Sequence, residues 1–362
     1  MLSISKKIVS LILIFLTGVY LMGCRSINTK KSEGKVKRTF ANPIIPAPSA
    51  DPWVVRAGGY YWYIHSSGDM ISIRKADRLE RIGEVGDANV WLSPSDGSYS
   101  KEVWAPELHY LNGRWYIYFA ADDGKNENHR MYVLEGGKDP DNPLSGPADT
   151  ENAANSPYKF KGKISDKTDK WAIDGTVLQK KDGSLYFIWS GWEGDVDGQQ
   201  NLYIAPMSNP WTISGDRVLI SKPEYDWEKK ALALNEGPEI LKNGEKIFIA
   251  YSASGSWTYD YCLGMLVNSD GDVLNPSSWV KIDKPVFEGS VKNKSRGVGH
   301  CSFVKSPDGK EDWIVYHGMT GSQGWGARSV RTQKFAWGKD GMPVFGEPVP
   351  VDTPFEAPSG EK

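Results

Sequence analysis

Five times along this 362-residue chain one unit recurs: an apolar strand, a tight turn ending in glycine, and an aromatic-rich strand ending in small residues. The units run over 51–67, 105–121, 174–190, 236–252 and 300–317. Their turn glycines are Gly59, Gly113, Gly183, Gly244 and Gly309, spaced 54, 70, 61 and 65 residues apart. Four of the turns read Asn-Gly or Asp-Gly and the first reads Gly58-Gly59. These pairs suit a type I′ hairpin, whose two central residues both need positive φ. Each interval has room for about four strands and their loops. An all-β fold follows. Regular recurrence of a four-stranded unit predicts a five-bladed β-propeller rather than a sandwich, because radial packing leaves only short, protected strand edges.

Aligned on their turns, the units begin with Asp51, Ala105, Asp174, Glu236 and His300. If these begin the innermost strands, their side chains converge on the axis at one end of the channel. Three carboxylates crowded there resist joint ionisation, so at least one must bind its proton more tightly. Carboxyl groups driven apart in proton affinity are what an acid–base pair needs. Glu107, two residues beyond Ala105, should face the channel at a deeper level. Glu239, three beyond Glu236, should point away from the axis, since strand side chains alternate. Asp122, Asp123, Asp195 and Asp197 fall in turn-like stretches, where Asp usually serves the turn.

Several blocks carry a family resemblance. Ser-Ala-Asp51-Pro-Trp, Trp104-Ala105-Pro106-Glu107, Ile173-Asp174-Gly175-Thr176 and Asn235-Glu236-Gly237-Pro238-Glu239 resemble the signature segments of glycoside hydrolase family 43, over about residues 40–350. Ala121-Asp122-Asp123-Gly124, Asn128-His129-Arg130-Met131-Tyr132-Val133, Trp189-Ser190-Gly191-Trp192-Glu193-Gly194, Tyr251-Ser252-Ala253-Ser254 and Tyr261-Cys262-Leu263-Gly264 resemble its exo-acting α-L-arabinofuranosidases. The resemblance implies an inverting enzyme of arabinan or arabino-oligosaccharides with Asp51 as general base, Glu236 as general acid, and Asp174 tuning the acid and orienting substrate. It implies that His300 lies near an axial metal, often calcium held largely through water; that metal would be structural, and the chemistry itself needs no cofactor. It also matches Arg331 to a substrate-contacting position. Trp53, Trp104 and Trp192 flank the site in sequence and are candidates to pack on a sugar ring, Trp104 first. Core packing between blades is the competing use of most of the 15 Trp residues. Two other readings stand beside this one: a β-D-xylosidase of the same family, and a non-catalytic glycan-binding propeller, which would not need the carboxylate trio.

The remaining features set context. With 43 basic and 45 acidic side chains the net charge is −2, which gives no basic footprint for nucleic acid. Lys6 and Lys7 precede an apolar run over 8–22, too short for a membrane span of about 20 apolar residues and arranged as a secretory signal. Leu21-Met22-Gly23-Cys24 resembles a bacterial lipobox, so residues 1–24 read as a lipoprotein signal peptide, 25–39 as a flexible tether and 40–355 as the catalytic propeller. The resemblance implies an exported protein held to a bacterial cell membrane or outer membrane only by the lipid on Cys24. Cys262 and Cys301 could pair in an oxidising compartment or stay free and buried.

Overall fold

The computed structural model describes residues 37–146 and 156–362; the lipobox Cys24 and most of the expected tether lie outside them. Among the described residues there is no α-helix, only strands and five short 3₁₀ turns. The strands form five sheets of four or five strands and one two-stranded closure. Each sheet is an antiparallel meander begun by one of the predicted units, and each is one blade of a five-bladed propeller. The innermost strands are Trp53–Ala57, Lys101–Leu111, Ala172–Gln179, Asn235–Asn243 and Arg296–Lys305. Each packs against the inner strands on either side of it, so that blade 5 returns to blade 1 and the ring closes. Blade 3 departs from four strands: its outer strand is broken into Thr212–Ile213 and Val218–Ser221, both paired to Asn201–Asn209.

The hairpins differ in turn chemistry. Gly58-Gly59 and Asn112-Gly113 have positive φ at both residues, as type I′ requires. In blades 3, 4 and 5 only the glycine is left-handed. The loops of blades 3 and 5 run through a tighter turn first, with the Gly183 N–H donating to the Lys180 carbonyl and that of Gly309 to Ser306.

Five apolar clusters fill the five blade-to-blade interfaces. Trp62, Trp91 and Trp115 lie between blades 1 and 2, and Tyr118, Trp171 and Phe187 between blades 2 and 3. Ile188 and Tyr251 lie between 3 and 4, Phe248 and Tyr316 between 4 and 5, and Tyr63 and Trp313 between 5 and 1. Aromatics suit these wedge-shaped seams, because each buries a large area with few rotors to fix.

The last seam joins chain ends. Strand Thr39–Phe40 pairs with Phe355–Glu356. The Asn42 side chain donates to the Thr332 carbonyl (2.8 Å) and accepts from its N–H (3.0 Å), taking the place of a strand. Glu361 receives the Leu79 N–H and an Arg38 ion pair. Among the described residues, these contacts tie 37–42 and the stretch beyond residue 355 to the propeller.

Candidate active site

Four of the five aligned positions, Asp51, Ala105, Asp174 and His300, have left-handed backbone, with φ of +50°, +41°, +53° and +43°. Pairing registers slip beside Ala105, Asp174 and His300, the mark of β-bulges that re-aim a side chain. Non-glycine residues held this way cost on the order of 1–3 kcal/mol each and cluster at functional sites. These positions are not strand starts, as the alignment implied: His300 lies mid-strand, and the bulge does the aiming. In blade 4 the left-handed residue is Gly237 (φ +51°), so Glu236 precedes the equivalent position by one.

The bulges bring three blades to one point. His300 Nδ1 of blade 5 lies 3.3 Å from Asp51 Oδ1 and 4.0 Å from Asp174 Oδ2, reaching across the axis to blades 1 and 3. Asp174 Oδ2 accepts the Gly237 N–H at 3.0 Å, tying blade 3 to the residue beside Glu236. The Tyr261 hydroxyl donates to Glu236 Oε1 at 2.8 Å. Tyr261 stacks on His317 at 5.2 Å. His317 in turn accepts the Asp51 backbone N–H on Nδ1 at 3.3 Å. Asp51 Oδ1 receives Arg328 at 3.2 Å.

Electrostatics separates the three acids. Burial works to raise Asp51, but Arg328, then His300 and His317, outweigh it and hold its carboxyl far below the usual range. Burial raises Glu236 to about 7; the Tyr261 hydrogen bond opposes this and the Asp51 charge adds to it. Burial likewise raises Asp174 to about 7, with His300 opposing and Glu236 and Asp51 reinforcing. Burial lowers His317 to about 4, so it is neutral near pH 7. One carboxylate held low beside two raised toward neutral pH is the asymmetry that acid–base chemistry requires.

Asp51 opens onto a cavity of about 430 Å³ walled also by His65, Glu102, Trp104, Trp325 and Arg328. Asp174 and Glu236 are only 4% and 7% exposed. Trp104 lines this cavity and stacks on His129 at 3.9 Å. The structure does not bring the other predicted sugar contacts there. Trp192 is buried, stacked face to face on Trp171 at 4.7 Å. Arg331 is buried and spends its guanidinium on Ser295, Thr320 and Ser329. Trp53 donates to the Leu108 carbonyl and lines a separate cavity with Glu239.

Glu239 corrects another expectation. It is buried and shares a hydrogen bond with Glu107; burial, then the Glu107 charge, makes Glu239 hold its own proton far more tightly than a free carboxyl. Blades 2 and 4 are not neighbours, so this contact crosses the axis. A register shift between Glu236 and Glu239 resets the alternation that would have turned Glu239 outward. Sequence reasoning also missed Arg328, three residues before Arg331, and passed over His317 and Tyr261. The available signals were the arginine pair on one strand and the Tyr261 block already quoted.

Among the described residues, the one group with three clustered metal-ligand atoms is Glu102, Asp122 and His129, not His300. There His129 Nδ1 faces Asp122 at 3.1 Å and Nε2 faces the Glu102 carbonyl at 3.2 Å. Both ring nitrogens are therefore engaged, and the ring buttresses Trp104. Calcium takes six to eight oxygens. His300 offers nitrogen, with two carboxylate oxygens at 3.3 and 4.0 Å, so these residues do not build a direct calcium cage. Cys262 and Cys301 are both free and buried.

Fold and site together define a class: a five-bladed propeller with an acidic axial cluster in which burial raises two carboxyls and Arg328 holds a third low. The chain belongs to Glycosyl hydrolases family 43, which matches residues 40–343. It is 36% identical over 322 residues to the extracellular exo-α-(1→5)-L-arabinofuranosidase of Streptomyces avermitilis, covering 86% of this chain and 64% of the relative. It is 36% identical to α-L-arabinofuranosidase 43 of Humicola insolens, covering 83% and 62%. The chain thus spans somewhat under two thirds of these relatives. The crystal structure of an α-L-arabinofuranosidase from Lactobacillus brevis superposes with a TM-score of 0.77 at 36% identity, covering 87% of this chain and 98% of that one.

Proposed function

We propose that this protein is an inverting glycoside hydrolase that releases α-L-arabinofuranosyl residues from the ends of arabinan or arabino-oligosaccharides. The observation that carries this reading is the meeting of blades at the axis, where His300 reaches Asp51 and Asp174 and the Gly237 N–H ties Asp174 to the residue beside Glu236, with Asp51 held low by Arg328 and Glu236 raised by burial. Asp51, kept ionised chiefly by Arg328 and then His300, takes a proton from a water molecule on one face of the sugar. Glu236, protonated and steadied by Tyr261, gives its proton to the departing oxygen. Asp174 keeps its own proton and, held by the Gly237 N–H, orients the substrate beside the acid. A single displacement of this kind inverts the anomeric centre. The relatives named for arabinofuranosidase activity support the choice of sugar.

The export signal and lipid anchor at Cys24 extend this reading to an enzyme held at the cell surface, and the relative named as extracellular supports export. The substrate would then be an arabinose-containing plant polysaccharide met outside the cell.

Hydrolysis of an aryl α-L-arabinofuranoside and an aryl β-D-xyloside tests the assignment. The arabinoside should be the better substrate. Asp51→Asn and Glu236→Ala should each cut its turnover by about 10²–10⁴, the usual worth of an acid or base. Wild-type rates in both variants would sink the mechanism, and a clear preference for xyloside would overturn the choice of sugar.

A further inference from the structure

Trp325 stands apart on the protein surface. It is 62% exposed, an unusual setting for so large an apolar side chain. It lines the same cavity that Asp51 opens into, as does Trp104 of blade 2. The exposed ring is held in place: Trp257 packs edge-on against it at 5.4 Å, and its Nε1 donates to Ser256 Oγ at 3.3 Å. The segment is tied down by the Gly324 N–H to the Trp257 carbonyl at 3.0 Å. The Trp325 carbonyl also accepts from Arg328 Nε at 3.1 Å, the same arginine that holds Asp51. A pre-ordered aromatic surface binds a partner without the cost of freezing its own rotors.

The geometry points to Trp325 as a binding platform for the leaving-group sugar, a pentose ring stacking on its free face in the cavity that Trp104 also lines. This rests on the proposed function. The reacting sugar must sit at the buried acids, so whatever meets the exposed ring of Trp325 belongs to the departing part of the substrate. The aromatic face meets the C–H side of a furanose ring, and the choice of leaving sugar is then made here rather than at the carboxylates.

The test compares α-1,5-linked arabinobiose, which has a leaving sugar, with α-L-arabinofuranosyl fluoride, which has none. Trp325→Ala should lower kcat/KM on arabinobiose by about ten- to a hundred-fold, chiefly through KM, the worth of one buried aromatic contact. Hydrolysis of the fluoride should stay within about two-fold of wild type, which also shows that the variant is folded. Trp325→Phe should recover most of the loss. Equal losses on both substrates, or no loss on arabinobiose, would overturn the platform while leaving the functional reading intact. A wild-type enzyme inert on both substrates would overturn the functional reading, and the platform with it.

Discussion

At the axis Asp51 parts in proton affinity from Asp174 and Glu236 because each carboxyl faces different company. Asp51 meets Arg328 and two histidines; Glu236 meets one hydroxyl; Asp174 meets one backbone N–H and a histidine at the edge of contact. The wild-type profile of kcat/KM should therefore be flat on the acid side down to low pH, since Asp51 stays ionised. It should fall above about pH 7, where Asp174 and Glu236 lose their protons as a coupled pair. Tyr261 sharpens this. Its hydroxyl favours the ionised form of Glu236, so Tyr261→Phe should raise the pKa further and move the alkaline limb up by about one unit. A limb that stays put or moves down would show that the hydroxyl is not tuning the acid. At this scale sequence reasoning chose the wrong one of two arginines for a simple cause. Arg328 and Arg331 lie on one strand three positions apart, and only packing decides which turns toward the pocket and which is spent on Ser295 and Thr320.

At the scale of the element, the inner strands matter less as strands than as carriers of bulges. The hairpin glycines made the five units legible, because positive φ leaves a clear residue signature at a turn. The bulges leave a weaker one, since Asp, Ala and His occupy them despite the strain. That is why alignment on the turns found Asp51 and Asp174 at equivalent backbone sites yet put Glu236 one residue out of phase and sent Glu239 the wrong way. Gly237 is where the backbone argument can be checked. A Cβ there would sit 3.2 Å from the His300 ring at a φ of +51°. Gly113 is also left-handed, at φ +81°, but a Cβ there meets open space. Gly237→Ala should cost about 1–3 kcal/mol in denaturant unfolding, with a loss of activity as His300 and Asp174 shift. Gly113→Ala should cost about 1 kcal/mol or less and leave activity alone. Equal behaviour of the two variants would mean that the bulge does not hold the site.

The whole molecule supplies what neither residue nor element can: a closed ring whose axis brings positions 51, 174 and 236 together. Closure is made by the chain ends, through the Thr39–Phe40 strand and the Asn42 side chain. The repeat count predicted blade number from sequence, but this latch was invisible there, because it joins residues about 300 apart with no repeat to announce it. With the ring closed, Asp51 and Glu236, the proposed base and acid, come to one end of the axis, and the reaction they perform is what needs to be read. Proton NMR of the anomeric signals during the first minutes of arabinofuranoside hydrolysis reads that reaction directly. The account predicts that β-L-arabinofuranose appears first and equilibrates afterwards, the signature of single displacement. Initial release of the α-anomer would contradict it, since retention requires a covalent intermediate on a carboxylate that this site assigns to activating water.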